Sequence, residues 1–436
     1  MIDIHKRIST AEVHQKKQGT FAIVAGWAEE IKVLGKIAFI KLRDREGYLQ
    51  LVTSDKDLIK EIEEFSKESV ILVQGQVKTS QLKAGGNELQ VSAIEVLSKA
   101  EPKLPIDVTG KVPADLSKRL DFRVLDLRNP KHLAIFKVRA KISEALREFF
   151  KKENFIEMQT PKLVGAGAEG GATLFKLDYY DKPAYLSQSQ QLYKQLMNIA
   201  GFGKVYEIGP SFRAEKSHTI RHMAEFTHID VEMSWIKDEE DLMNFQERLL
   251  EYVLKYVKSS CKKELELLGV EIEIPKLPLP RISHSEAIKM LQDAGSKIKD
   301  GEDIGTEDEK ILGELVKKKY ATDAYFLIKF PWSLDVCKFY WMRNKDFGRG
   351  ADFEYKGTEI SSGSQREHRY DILIKQLKEK GLKPEDFVYY TEPFKYGAPP
   401  HGGFGMGLDR LTQLILNLPN VREATLFPRD PERLTP

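Results

Sequence analysis

The stretch "PSFRAEKSHTIRHMAEFTHIDVEMSW", residues 210–235, has a pattern that decides the fold. From Phe226 onward it alternates strictly: Thr227, Ile229, Val231, Met233 and Trp235 fall on one side, and Phe226, His228, Asp230, Glu232 and Ser234 on the other. A period of two marks a β-strand with one face on a core. The first set packs inward. The second lays a ring, a histidine and two carboxylates on one floor, where they need partners if covered. Upstream, Ser211, Arg213 and Glu215 share a face by the same parity, which predicts a hairpin with Arg213 and Glu215 beside Asp230 and Glu232. Arg221 and His222 stand in the loop between. Solvated ion pairs on an exposed sheet are the plain alternative, but a phenylalanine among charges suits a stacking platform better.

Three further stretches carry polar groups that can converge on this floor. "AYLSQSQQLYKQLMNIAG" (184–201) reads as a strand running into a helix, with Gln191 and Lys194 one turn apart on one face. "RGADFEYKGTEISSGSQREHR" (349–369) puts Asp352 and Glu354 on one strand face; a bulge at Gly357 changes the parity and brings Glu359 round to them. Carboxylates there, with Ser362 nearby, are hard oxygen ligands suited to a Mg²⁺ that also holds phosphates. "HGGFGMGLDRLTQLILNL" (401–418) carries Gly403, Gly405 and Gly407 just before an amphipathic helix, whose free N–H groups, with Arg410 in the first turn, favour anions.

Outward from these motifs, Ile135, Val138, Ile142, Ala145 and Phe149 stand at helical spacing, and Pro161 closes the extended piece that follows. Strands and helices then alternate irregularly, without the rhythm of a parallel sheet, which predicts an α+β domain over 131–436: an antiparallel sheet flanked by helices. Residues 262–330 read as a charged, partly helical insertion. Residues 1–103 hold five β-type runs, at 21–27, 37–44, 48–53, 70–77 and 89–97, with one helical segment before the fourth, the order of a small Greek-key barrel of the OB type. The Pro-punctuated segment 104–130 between them reads as a hinge.

Composition narrows the class. The 436 residues suffice for two or three domains, and 41% hydrophobic with 31% charged residues is ordinary for a soluble globular protein. A net charge of +2 confines any nucleic-acid surface to a local patch. Cys261 and Cys337 make no disulfide or zinc pattern. No apolar run reaches the length of a membrane span and the N-terminus lacks a signal core, so a cytoplasmic protein is expected.

Together the motifs resemble the three signatures of the class II aminoacyl-tRNA synthetases. The helix with the piece closed by Pro161 resembles motif 1, "FRAE…RHMAEF" motif 2 and "GFGMGLDR" motif 3. The likeness covers almost the whole chain, since a barrel joined to this domain marks the aspartyl, asparaginyl and lysyl subgroup, and "LFPRDPERLTP" at the end is similar to its archaeal-type aspartyl branch. The resemblance implies a Mg²⁺- and ATP-dependent ligase and homodimer that joins an amino acid to the 3′ end of tRNA. It implies that Arg213 bridges the amino-acid carboxylate and the α-phosphate, that Glu215 accepts from the adenine amino group, and that the purine lies between Phe226 and Arg410. Arg221 and His222 would hold the outer phosphates, with Met223, Gly407, Leu408 and Asp409 completing the ATP site and Arg213 and Arg410 the catalytic pair. Asp352, Glu359 and Ser362 would hold Mg²⁺. Glu169 would take the substrate ammonium.

For the amino acid, the discriminating chemistry is a carboxylate against an amide. Lys194 and Arg366 supply cations for a carboxylate, with Gln191, Asp230 and Ser362 beside them. Lys194, Asp230 and "EISSG" follow the aspartyl pattern; "EGGATLFKL" and "PSFRAEKS" are closer to asparaginyl relatives, and "GLDR" departs from the "GAER" of archaeal aspartyl ones. Aspartate is the expected substrate and asparagine the alternative; a catalytically inactive, RNA-binding copy is the reading from another class. In the barrel, Phe39 would stack on an anticodon base and Gln50 would read its edge. Trp27 resembles the type restricted to tRNA(Asp), while Ala84 stands at a loop position often lysine there. Charging of tRNA(Asn) stays open.

Overall fold

The computed structural model describes residues 2–80, 86–165, 174–215 and 219–436, and elements are counted among these. The chain forms two compact units, Met1–Pro130 and Lys131–Pro436.

In the first unit, β1 (Phe21–Leu34), β2 (Ile37–Arg43), β3 (Tyr48–Thr53), β4 (Val70–Thr79) and β5 (Asn87–Ser98) close into a barrel in the order β1-β2-β3-β5-β4. One helix, α1 (Lys56–Glu63), lies between the third and fourth strands and is capped by Asp55, which accepts from Asp57 N at 2.8 Å. The OB expectation holds. β1 runs well past Trp27, because an irregularity between Ala28 and Glu30 bends it round the barrel. Val24, Ile40, Leu42, Leu51, Ile71, Val73 and Leu89 fill the interior. The segment 104–130 falls within this unit and carries two short helices, Leu116–Asp121 and Arg123–Asp126.

The second unit opens with α2 (Pro130–Lys152), whose Ile135, Val138, Ile142, Ala145 and Phe149 are all buried, as their spacing predicts. After it come β6 (Ile156–Glu157), α3 (Gln191–Ile199), β7 (Lys204–Phe212), β8 (Glu225–Ser234) and α4 (Glu239–Ser260). Then follow β9 (Arg281–Ser283), α5 (His284–Asp293), α6 (Thr306–Tyr320), β10 (Ala324–Ile328), β11 (Gly350–Tyr355), β12 (Glu359–Gln365), β13 (His401–Gly407) and α7 (Leu408–Ile415). The strands form one sheet in the order β9-β10-β11-β12-β13-β8-β7-β6. It is antiparallel through its centre and parallel only at the two edge pairs. β9 and β10 lie in or next to the 262–330 segment, so that segment builds part of the sheet.

Ile229, Val231 and Met233 of β8 pack on α2 and α4, in one core with Phe404 and Phe353. Trp235 does not join them: it ends the strand at φ 66 and is 79% exposed. The opposite face of β8 carries the polar set, and the site grows from it. The glycine run of motif 3, read from the sequence only as standing just before a helix, is itself the central strand β13, paired on both sides. A Cβ on Gly403 would stand 2.0 Å from Val231 O, so only glycine lets β13 lie this close to β8.

Candidate active site

β8 supplies the floor. Its register with β7 sets Glu207 opposite Asp230 and Ser211 opposite Phe226. Arg213 and Glu215 therefore lie beyond the end of β7 rather than on it, and not beside Asp230 and Glu232 as the parity alone suggested. Arg213 N donates to Ala224 O at 2.9 Å, which continues the hairpin, and its guanidinium sits over the Phe226 ring at 5.3 Å from the centroid. Alternation fixes which face a residue takes; it says nothing about which partner stands across the ladder.

One end of the site is a buried charge cluster. Lys194, fully buried on α3, donates to Asp230 Oδ1 at 2.7 Å and Phe404 O at 2.9 Å, with Glu232 Oε2 at 3.8 Å. Arg366 grips Glu232 with Nε at 3.0 Å and a terminal nitrogen at 3.1 Å, and also donates to Ser364 Oγ, Gln191 Oε1 and Gly403 O. His228 Nδ1 lies 2.7 Å from Asp230 Oδ2. Burial opposes ionisation of Asp230, but His228 and Lys194 beside it outweigh that and hold the carboxyl well below its usual range. For Arg366 the Glu232 carboxylate likewise overcomes burial and keeps the guanidinium charged. Among the described residues Gln191 Nε2 is buried without a partner, a donor kept in hand.

A cavity of about 320 Å³ joins this cluster to the motif residues. Gln191, Asp230, Ser362 and Arg366 line one part of it; Arg213, Glu215, Arg221, His222, Met223 and Phe226 line another. Asp352, Glu359, Gly407, Asp409 and Arg410 complete the wall. Lys194 stands one layer behind, reaching the cavity through Asp230. Leu408 turns its side chain into the core instead. Asp409 is held as a brace: it accepts from Arg139 at 2.6 Å, Thr227 N at 2.7 Å and Thr425 Oγ1 at 3.0 Å. Arg410 donates to Glu359 O at 2.6 Å. Burial, then the charge of Arg410, pushes the His222 imidazole down from its ordinary value. Glu169 and Ala84 lie outside the described residues.

The Gly357 expectation is corrected. Gly357 sits at φ 65 in the turn joining β11 to β12, and the irregularity that changes the parity falls between Phe353 and Glu354. Asp352 pairs with Ser362 and both line the cavity with Glu359, whereas Glu354 pairs with Glu359 but is not one of the lining residues. Burial, then the nearby Glu359 carboxylate, drives the Asp352 carboxyl well above its usual range, and its Oδ1 is buried without a hydrogen-bond partner. Such a pair suits a hard cation. No group of three or more His, Cys, Asp and Glu side chains among the described residues is placed to hold a metal by itself, so substrate oxygens would have to complete the coordination.

The parity of β8 placed His228 on the polar floor, and it lines the cavity with Asp230; other lining residues were passed over. Lys338, Tyr340 and Trp341 also line the cavity, from the aromatic run 339–341 and the residue before it, which has no period to read. Tyr340 lies under the Arg366 guanidinium at 5.4 Å.

On the barrel, Trp27, Phe39 and Gln50 share the outer face with Lys41 and Arg43. Phe39 pairs with Val52, Lys41 with Gln50 and Trp27 with Arg43. Lys41 lies 3.7 Å from the Tyr48 ring centroid, and Arg43 and Arg128 flank Trp27 at 5.7 and 5.3 Å.

A β-floor bearing fixed guanidinium groups in one unit and a small barrel with an aromatic and basic face in the other define the class. Residues 115–431 match the model of tRNA synthetases class II (D, K and N) and residues 22–97 that of the OB-fold nucleic acid binding domain, so the chain belongs to the class II tRNA synthetases of that group. Among its relatives, the aspartate–tRNA(Asp) ligase of Pyrococcus abyssi is 46% identical over 434 residues, 98% of this chain and 99% of that one. The aspartate–tRNA(Asp/Asn) ligase of Methanopyrus kandleri is 46% identical over 432 residues, 98% of this chain and 99% of its own. The crystal structure of asparaginyl-tRNA synthetase from Pyrococcus horikoshii complexed with asparaginyl-adenylate is 35% identical, with a TM-score of 0.91 over the full length of both chains.

Proposed function

We propose that the chain is an aspartate–tRNA ligase: it activates L-aspartate with ATP to aspartyl-adenylate and transfers it to the 3′ end of tRNA(Asp). The observation that carries the reading is the meeting, in one cavity, of a nucleotide-type wall (Arg213, Glu215, Phe226, Arg410) with a donor-rich end made by Arg366 and the unpartnered Gln191 Nε2, backed by Lys194. A side-chain carboxylate can accept from Arg366 and Gln191 Nε2 with both its oxygens, whereas an amide offers one accepting oxygen and turns a donor NH₂ toward these donors. The greater identity to aspartate ligases than to the asparaginyl enzyme points the same way.

The chemistry follows from position and charge. The substrate α-carboxylate, already ionised, attacks the α-phosphorus in line; an O–P bond forms as the bond to the bridging oxygen breaks, and pyrophosphate leaves. Arg213 bridges the carboxylate and the α-phosphate, Phe226 and Arg410 hold the purine, Glu215 accepts from its amino group, and Arg221 and His222 bind the outer phosphates. No general base is required, so the residues act by alignment and by neutralising charge on the transferring group. Asp352, Glu359 and Ser362 would hold Mg²⁺, which supplies neutralisation of phosphate charge. The tRNA terminal hydroxyl then displaces AMP from the adenylate.

The reading includes a homodimer, for which the edge strand β6 leaves Ile156 half exposed, and a cytoplasmic protein, since no helix among the described residues is long and apolar enough to cross a membrane. The test is ATP–pyrophosphate exchange with each amino acid in turn, then charging of purified tRNA(Asp) and tRNA(Asn). Exchange driven by aspartate is expected. Exchange with asparagine alone would reverse the substrate assignment, and exchange with neither would favour an inactive RNA-binding copy.

A further inference from the structure

Arg221 belongs to the loop between β7 and β8, yet its guanidinium is held from elsewhere. One terminal nitrogen donates to Glu309 Oε2 at 2.5 Å and the other to Gly357 O at 3.2 Å. Both partners of the ion pair are largely covered, with side-chain exposures of 9% and 18%. A guanidinium carries five N–H donors. Among the described residues two of them are taken up in this way, on a side chain that lines the cavity.

The two acceptors come from α6 and from the turn after β11, and these elements touch backbone to backbone. A Cβ on Gly313 of α6 would stand 2.6 Å from Gly357 Cα, and one on Gly357 would stand 3.1 Å from Lys310 Cα. Neither position has room for a side chain, so glycine at both is what lets the helix and the turn lie this close. The same turn leads straight to Glu359. One helix thus fixes both the anchor of Arg221 and the start of the strand that bears the cavity carboxylates.

We infer that Glu309 is a positioning residue for ATP: it holds the Arg221 guanidinium in the pose that receives the outer phosphates. The inference rests on Arg221 being a phosphate ligand. Without the carboxylate, a long side chain must be ordered by the nucleotide itself, and the loss falls on ATP binding rather than on the amino acid.

The experiment is ATP–pyrophosphate exchange on the full chain, with KM for ATP and for aspartate measured separately in Glu309→Ala, Glu309→Asp, Arg221→Ala and the double variant Glu309→Ala/Arg221→Ala. Glu309→Ala is expected to raise KM for ATP about tenfold, the scale of one charge-assisted hydrogen bond, with KM for aspartate within about twofold. Glu309→Asp should recover part of the loss, and the double variant should match Arg221→Ala. If Arg221→Ala leaves KM for ATP unchanged, the phosphate role of Arg221 is wrong. If Arg221→Ala weakens ATP but Glu309→Ala does not, or if the Glu309→Ala effect persists without Arg221, the positioning role is overturned. Thermal unfolding of each variant separates these results from loss of fold; should Glu309→Ala not fold, Glu309→Gln, which keeps the shape, replaces it with the same criteria.

Discussion

Lys194 has no solvent exposure, and burying an ammonium costs several kcal/mol unless acceptors surround it. Here Asp230 and the Phe404 carbonyl do so, while Arg366 answers Glu232. The four charges form a balanced quartet in which each cation has its own carboxylate. Removing one cation leaves a buried anion unpaired, a change of about 3–5 kcal/mol where it has been measured in other proteins. Lys194→Leu is therefore expected to lower kcat/KM for aspartate by at least a hundredfold while KM for ATP stays near that of the unaltered chain. An unchanged kcat/KM for aspartate in that variant would remove the basis for choosing a carboxylate substrate.

At the scale of elements, the motifs were legible because each is local. The stripe of α2, the alternation of β8 and the five barrel strands follow from spacing within one segment. Three features were not. Arg213 left its strand because the β7–β8 register is set by which side chains meet across the ladder, a long-range choice. The glycine run became a central strand because its neighbours on both sides need a close backbone, which no local pattern announces. The part played by α6 was hidden because its contact with Arg221 spans 88 positions of the chain. Helix α5 carries a separate expectation. His284 is its first residue, buried, and hydrogen-bonded through Nε2 to Glu302 O at 2.9 Å. Burial lowers its pKa, and a positive charge at a helix N-terminus is disfavoured as well. The folded-state value thus lies below the ordinary one of about 6.5, so the contribution to stability is intact above that pH and lost as the pH falls through the folded value. As the pH falls below about 6.5, the Tm of the unaltered chain should drop more steeply than that of His284→Gln, which keeps a donor for Glu302. Parallel slopes would show that His284 does not titrate in this way.

For the whole molecule, the proposed function divides the task between the two units: amino-acid activation would fall to the second and selection of the RNA to the barrel, the part that matches an OB-fold nucleic acid binding domain. Phe39, Gln50 and Trp27 stand on its outer face without a role in its core. Base stacking on an aromatic ring is worth about 1–3 kcal/mol. Phe39→Ala is accordingly expected to raise KM for tRNA(Asp) by about ten- to a hundredfold, with ATP–pyrophosphate exchange unchanged. Equal loss in both assays would mean that the variant perturbs folding rather than RNA contact.

Two of the acceptors that steady the buried cations belong to the main chain: Phe404 O for Lys194 and Gly403 O for Arg366. Mutation can delete a side chain, but a carbonyl survives every replacement that leaves the strand in place. The anchorage of these cations is in that measure inherited with the sheet itself, so descendants of this sequence can vary residue 404 and still keep the lysine tethered.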